Sequence, residues 1–297
     1  MKLELQKTIR LLKWRCLLFL AMGMMLYSEE GILIKSGQKV AFMGDSITAN
    51  GWNFPGGYVR LIVNGLEKEG IKIESISAGV SGHTSKDMLA RLDKDILSKN
   101  PNWLILSCGV NDVWHGSKGV PLDVYKANIT SIIDQAQAKG IKIILLTSTP
   151  IGEEDNNNNK KLAAYNDFLR QLSKDRRFPA ADLNADFQTV LRNLQTSPQS
   201  RNLTVDGIHM NPEGNVLMAK GCLLAMGVSA EEIKKIEQNW VNQSELAYVP
   251  VNPYDPKFNI KITLGEYRQL RKVAEGLKTN CMELGSDLWM RAYSEGI

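Results

Sequence analysis

From Lys39 onward, short aliphatic or β-branched runs alternate with longer stretches whose apolar residues recur at helical spacing. The short runs cover residues 40–43, 71–76, 103–106 and 141–146, with a weaker one at 180–183. Several are continuously apolar rather than alternating, which is the pattern of parallel strands covered on both faces. Between them, residues 58–69, 85–99, 122–139 and 160–174 each set apolar side chains on one helical face and charges on the other. Gly70, Asn100-Pro101 and Gly140 mark helix ends just before a strand. The alternation predicts an α/β protein: a three-layer α/β/α sandwich around a parallel sheet of about five strands.

Two stretches depart from the alternation. Residues 152–159 (GEEDNNNN) are polar and low in complexity, as expected of an exposed loop or solvated linker before the next helix. Beyond about Val228 the pattern becomes a helix over 230–240, a segment punctuated by Pro250, Pro253 and Pro256, and a helix over 264–278. In the last of these, Leu264, Tyr267, Leu270 and Leu277 share one face. The chain therefore divides into an N-terminal leader or anchor (1–28), an α/β domain (29–228) and a helical C-terminal extension (229–297). The extension is expected to pack on the sandwich, with a lid or a dimer contact as the other roles open to it.

The net charge of +4 is local: Lys2, Lys7, Arg10, Lys13 and Arg15 outweigh Glu4 by that amount. The remainder is nearly neutral and lacks an arginine-rich stripe, so no nucleic-acid partner is expected. Behind those charges, Cys16 to Tyr27 (CLLFLAMGMMLY) is short for a membrane span but suits the apolar core of a signal peptide. The prediction is a secreted or periplasmic protein with no membrane partner beyond the leader. The alternative is an uncleaved N-terminal anchor, because the cleavage pattern around Leu26-Tyr27-Ser28 is poor. Outside the leader, Cys108, Cys222 and Cys281 are too sparse for a disulfide scaffold or a cysteine-based zinc site, though one disulfide involving Cys281 stays open. Nothing in the pattern sets an oligomeric state.

In an open parallel sheet, ligands bind beyond the carboxyl ends of the strands. Those ends carry Gly44-Asp45-Ser46, then Ala78-Gly79-Val80-Ser81-Gly82-His83, then Gly109-Val110-Asn111-Asp112. A fourth segment, Asp206-Gly207-Ile208-His209-Met210-Asn211-Pro212, precedes the last helix of the domain. Ester hydrolysis needs a nucleophile, a base, a group orienting that base, and donors for the developing oxyanion. Ser46, His209, Asp206, and the set of Ser46, Gly79 and Asn111 can fill those roles in turn. Any one of these segments alone reads equally well as a turn or a helix cap. Of the three histidines, His83, His115 and His209, only the last follows an aspartate by three residues in a glycine-containing loop, with Asn211-Pro212 resembling a helix start behind it. As a base it would make activity rise with pH near the ordinary imidazole value of about 6 to 7. Cys108 as nucleophile is disfavoured by its place at a buried strand end, and an α/β-hydrolase by the missing Gly-x-Ser-x-Gly.

Taken in order, the four segments resemble the Ser, Gly, Asn and His blocks of the SGNH (GDSL-type) hydrolases, over roughly residues 39–226. The resemblance implies a flavodoxin-like sandwich with Ser46 as nucleophile, Gly79 and Asn111 as oxyanion donors, and Asp206 with His209 completing a triad. It implies no metal and no organic cofactor. Ser77 departs from the asparagine that many members carry before Ala-Gly.

Trp52 and Phe54 lie in a Gly- and Pro-containing loop, and Trp114-His115 follow Asn111. Aromatic and polar groups mixed at a rim suit a sugar ring, and packing of the loop explains them equally well. The run Gly-Val-Asn-Asp-Val-Trp-His is similar to that of carbohydrate-active SGNH esterases, which implies removal of short acyl groups, acetyl above all, from a glycan. The alternatives are a lysophospholipase or thioesterase, and a non-catalytic glycan-binding protein on the same fold.

Overall fold

The computed structural model describes residues 31–193, 202–243, 248–250, 259–277, 279, 281 and 283–285. The expected leader, 1–28, lies outside them. The described residues from Ile34 onward cluster as one compact unit.

A five-stranded parallel sheet forms its centre, with strands β1 (Lys39–Gly44), β2 (Glu74–Gly79), β3 (Trp103–Ser107), β4 (Lys142–Leu146) and β5 (Ala180–Ala181) in the order β2-β1-β3-β4-β5. β1 and β3 are buried almost throughout, as their continuous apolar runs require. The chain steps from β1 outward to β2 and then returns past β1 to β3. Right-handed crossovers therefore send the helices after β1 to one face and those after β2, β3 and β4 to the other. On the first side α1 (Ser46–Asn53) leads into α2 (Tyr58–Lys68), which packs against α9 (Pro212–Ala225). On the second, α3 (Ser85–Ala90), α6 (Leu122–Ala138) and α7 (Asn157–Arg176) pack in sequence. A further helix, α8 (Leu183–Asn193), starts directly after β5 and packs on α9.

Three elements differ from the periodicity. β2 runs over 74–79 rather than 71–76, because its register with β1 pairs Lys39 with Glu74 and Gly44 with Gly79. As an edge strand it is only partly buried, with Glu74 and Ser77 exposed and Ser75 half-buried, so its serines read as loop. The helix expected over 85–99 is broken at Arg91 into α3 and α4 (Leu92–Asp95), followed by a 3₁₀ turn, Leu97–Lys99. The stretch 152–159 is not merely a linker: Asn156 caps α7 by accepting from the Asn159 N–H at 2.9 Å, so the helix begins inside the asparagine run. The helix stops fall where expected, with Gly70, Gly140 and Asn100 all at positive φ.

Beyond α9 come α10 (Ala230–Asn242), a short antiparallel pair, β6 (Tyr248–Pro250) with β7 (Asn259–Lys261), and α11 (Leu264–Gly276). α5 (Val110–Trp114) completes the set after β3. Helix α10 packs on α2, α9 and α11. Its Trp240 is fully buried and donates from Nε1 to Asn64 Oδ1 on α2 at 2.9 Å.

Because that indole is enclosed, Trp240→Ala should lower unfolding free energy by about 3–5 kcal/mol in a denaturant titration. Trp240→Phe, which forfeits chiefly the hydrogen bond, should lose about 1–2 kcal/mol. Equal stability of all three proteins would show that α10 is not part of the cooperative fold.

Candidate active site

The register of the sheet decides where its chemistry can sit. Gly44 pairs with Gly79, and Met43 with Leu106, so β1, β2 and β3 end at one edge. β1 leads straight into α1, whose N-cap, Asp45, accepts from the Ile47 N–H at 2.9 Å. Ser46 is thereby the first residue of the helix, where backbone N–H groups have no intrahelical partner and the helix dipole is positive. The second strand end must be glycine: a Cβ on Gly79 would fall inside the backbone of Thr48 and Ala49, where α1 crosses it. Asn111, buried on α5, donates one amide hydrogen to the His83 carbonyl at 3.1 Å, which orients the side chain and leaves its second N–H.

Arg91 ties these strand ends together. It donates to the carbonyls of Gly44 and Ala78, both at 2.9 Å, and to Nδ1 of His83 at 3.0 Å, with Asp95 as its ion-pair partner at 2.8 Å. Asp112, fully buried, accepts from the N–H and the hydroxyl of Ser85 and so joins the start of α3 to α5.

The remaining groups arrive from outside the sheet. Residues 204–210 form a narrow loop closed by a bridge between Thr204 and Met210 and by the Val205 N–H on the His209 carbonyl at 2.8 Å. At its tip Gly207 has φ +95°, a conformation that lets the chain fold back over Asp206. One carboxylate oxygen, Oδ1, accepts from the N–H groups of Ile208 and His209 at 2.9 and 2.7 Å, and the other, Oδ2, meets His209 Nδ1 at 2.6 Å. His209 Nε2 then lies 2.9 Å from Ser46 Oγ. Asn211 caps α9 by accepting from the Gly214 N–H at 3.0 Å, with Pro212 at the first helical position.

Burial pulls the Asp206 carboxyl upward, but the bonds from the His209 ring and the two backbone N–H groups outweigh it and hold it at about 2. The Asp206 hydrogen bond raises the His209 imidazole above its usual 6.5, against the pull of desolvation and with further help from the charges of Asp206 and Asp45. Asp45, fully enclosed, is pushed up to about 6 by burial, opposed by the Ile47 N–H and the His209 charge. With Oδ2 of Asp206 bonded to Nδ1, the neutral imidazole carries its proton there and presents Nε2 to the serine as an acceptor.

A groove of about 220 Å³ borders this loop, lined by Trp114, Ile151, Gly152, Glu154, Asn156, Asn158, Asp206, Gly207 and Ile208. It flanks the relay on the Asp206 side and does not include Ser46. Trp114, 51% exposed, therefore stands beside the site. The other rim residues do not line this groove. Trp52 is half-buried under Arg60, whose guanidinium lies 4.0 Å from the ring centroid and whose Nε donates to the Trp52 carbonyl. Phe54 follows α1 as its C-cap and His115 caps the end of α5 on the exposed surface.

Sequence reasoning missed Arg91, Asp112 and Glu153. Glu153, inside the supposed linker, accepts from the backbone N–H groups of Asn202, Leu203 and Thr204 at 2.6, 2.8 and 2.7 Å. No short-range spacing signals it, since its partners lie about fifty residues ahead.

Cys108 is buried, its thiol pushed well up by burial and by the neighbouring Asp112, which suits packing rather than nucleophilic attack. Among the described residues, Cys108, Cys222 and Cys281 are free thiols, and the disulfide left open for Cys281 does not form among them. Among the described residues, no group of three or more His, Cys, Asp or Glu is arranged to hold a metal ion, and no helix is long and apolar enough to cross a membrane.

Residues 42–217 match the GDSL-like lipase/acylhydrolase family. An acetylxylan esterase of Geobacillus stearothermophilus is 29% identical over 216 residues, spanning 65% of this chain and 96% of its own. The solved structure of Axe2, an acetylxylan esterase from Geobacillus stearothermophilus, superposes with a TM-score of 0.60 at 28% identity, covering 66% of this chain and 97% of that one. Forms of that enzyme described as catalytic mutants replace a serine, an aspartate or a histidine by alanine. A second solved acetyl xylan esterase has a TM-score of 0.59 at 34% identity, covering 63% of this chain and 98% of its own. An uncharacterized lipoprotein of Bacillus subtilis is 24% identical over 232 residues, 68% of this chain and 95% of its own. With the sheet, its strand-end residues and these matches in hand, the chain belongs to the GDSL-like lipase/acylhydrolase family and is a carboxylic ester hydrolase.

Proposed function

We propose that the protein removes short acyl groups, acetyl foremost, from carbohydrate by a two-step mechanism centred on Ser46. The observation that carries this reading is the unbroken relay from Ser46 Oγ through His209 Nε2 (2.9 Å) and Nδ1 to Asp206 Oδ2 (2.6 Å).

In the first step Ser46 Oγ attacks the ester carbonyl carbon while its proton passes to His209 Nε2. The tetrahedral oxyanion is met by the backbone N–H groups of Ser46 and Gly79 and by the amide of Asn111, donors of a kind each worth roughly 10²–10³ in turnover. As the carbonyl re-forms, the C–O bond to the sugar breaks and His209 returns the proton to the departing hydroxyl. Water, deprotonated by His209, then attacks the acyl-Ser46 ester and releases the acid. Asp206, ionised throughout, keeps the proton on Nδ1 and offsets the imidazolium charge.

Acetyl and carbohydrate rest on three supports: the two acetyl xylan esterase relatives, the exposed Trp114 ring, and the polar residues Glu154 and Asn158 in the groove beside the relay. A flat aromatic with nearby polar groups suits a pyranose better than an acyl chain. Extracellular action, through export by the N-terminal segment, fits a substrate of that kind, and one relative is a lipoprotein.

kcat/KM should be highest for p-nitrophenyl acetate and fall steeply through octanoate to palmitate, and Trp114→Ala should raise KM on an acetylated xylo-oligosaccharide while leaving that on p-nitrophenyl acetate unchanged. A preference for palmitate would instead identify a long-chain acylhydrolase.

Because His209 accepts a proton only when neutral, kcat/KM must fall as pH drops through its pKa. The bond to Asp206 and the charges of Asp206 and Asp45 place that limb above 6.5, while Asp206, at about 2, contributes no second limb in the working range. Asp206→Asn should lower kcat and move the limb down. A pH profile flat from 5 to 8 would remove His209 from the role of base.

A further inference from the structure

Helix α11 lies beyond residues 42–217, the span that matches the family, yet it grips both ends of the loop that carries Asp206 and His209. Arg268 and Arg271, three residues apart and so on one helical face, make the contacts. Ahead of the loop, Arg271 donates to the carbonyl of Asn202 at 3.0 Å and to its Oδ1 at 2.7 Å, while its Nε pairs with Glu275 at 3.0 Å. Behind the loop, Arg268 forms a fork on Glu213, in the first turn of α9, at 2.7 and 3.1 Å, and reaches Glu237 of α10 at 2.8 Å. Glu237 also holds Lys220 of α9 at 2.6 Å.

The loop is held from a third direction by Glu153. Its carboxylate sits in a nest of three successive N–H groups, from Asn202, Leu203 and Thr204, and also accepts from the Thr204 hydroxyl at 2.6 Å. Next to it the Gly152 N–H donates to the Gly207 carbonyl, at the loop tip, at 2.7 Å. Asn202 is thus clamped between Glu153 on its N–H and Arg271 on its carbonyl and side chain. Asn202 as a whole is 5% exposed.

We infer that α11 is a brace for the active site, in which Arg271 and Arg268 are positioning residues that hold the Asp206/His209 loop at hydrogen-bonding distance from Ser46. This rests on the reading of His209 as the base. The physical ground is the sensitivity of proton relay to geometry. His209 stands on a loop outside the sheet, and a shift of about 1 Å in such a group can cost on the order of 10²-fold in rate. A charged fork at either end restrains the loop without touching substrate. The C-terminal extension therefore serves the chemistry and not only the stability of the sandwich.

The test uses the full chain with Arg271→Ala, Arg268→Ala and the milder Arg271→Lys. Three quantities are read: kcat and KM on p-nitrophenyl acetate, thermal midpoint, and the titration of His209 followed by NMR. Only three histidines are present to assign. The groups that bear on His209 are Asp206 on its own loop and Asp45 in the turn before α1. In the alanine variants kcat should fall roughly ten- to a hundredfold with KM changed less than about twofold, and His209 should titrate lower than in the wild type as its bond to Asp206 loosens. Arg271→Lys, which keeps one donor, should recover part of both. The proposal is overturned if kcat and the His209 titration match the wild type in folded variants. It is equally overturned if losses in kcat track only the thermal midpoint and vanish at lower assay temperature. An inactive wild type would count against the Ser46 mechanism instead, and the His209 titration would still decide the brace.

Discussion

The 2.9 Å hydrogen bond between His209 Nε2 and Ser46 Oγ joins two pieces of chain 163 residues apart, and much of the structure serves to keep it that length. Ser46 is fixed by the sheet: β1 is buried on both faces, Asp45 caps α1, and Gly79 lets α1 lie directly on the neighbouring strand end. His209 has no such support of its own. It sits on a loop whose rigidity comes from the Asp206 turn within, from the Glu153 carboxylate at its base, and from α9, which starts immediately behind it.

The electrostatics follow from the same arrangement. Two acidic groups bear on one imidazole, Asp206 by a direct bond and Asp45 through space. Their environments push them apart: burial lifts Asp45 to about 6, whereas hydrogen bonds from the loop hold Asp206 at about 2. Asp206 is thus an anion across the neutral range, and Asp45 is chiefly a helix cap whose charge depends on pH. Arg91 ties down the strand ends beside the site by donating to the carbonyls of Gly44 and Ala78.

How much of this can be read from the chain depends on the range of the contacts. β1, β3 and β4 announce themselves because burial on both faces demands unbroken apolar runs. β2 is misread by three residues because an edge strand tolerates Ser75 and Ser77, and the break at Arg91 leaves no local signal, since the partners of its side chain are strand ends far away in sequence. The Asp206/His209 pair is legible because both partners and the glycine between them are local. Glu153 and Arg271 are not, since each acts on Asn202 from a distant segment and neither stands in a pattern that spacing could reveal. Trp114 is found beside the groove, while Trp52 shows how a rim aromatic can be held by a local cation, here Arg60.

The most direct measurement of the central claim is mass-spectrometric mapping of the adduct formed with a fluorophosphonate, which traps a serine only when a base and an oxyanion site activate it. The expected result is a single adduct on the peptide containing Ser46, abolished in Ser46→Ala and slowed by orders of magnitude in His209→Ala. An adduct that persists in Ser46→Ala, or a folded wild type that takes up no label, would contradict the account.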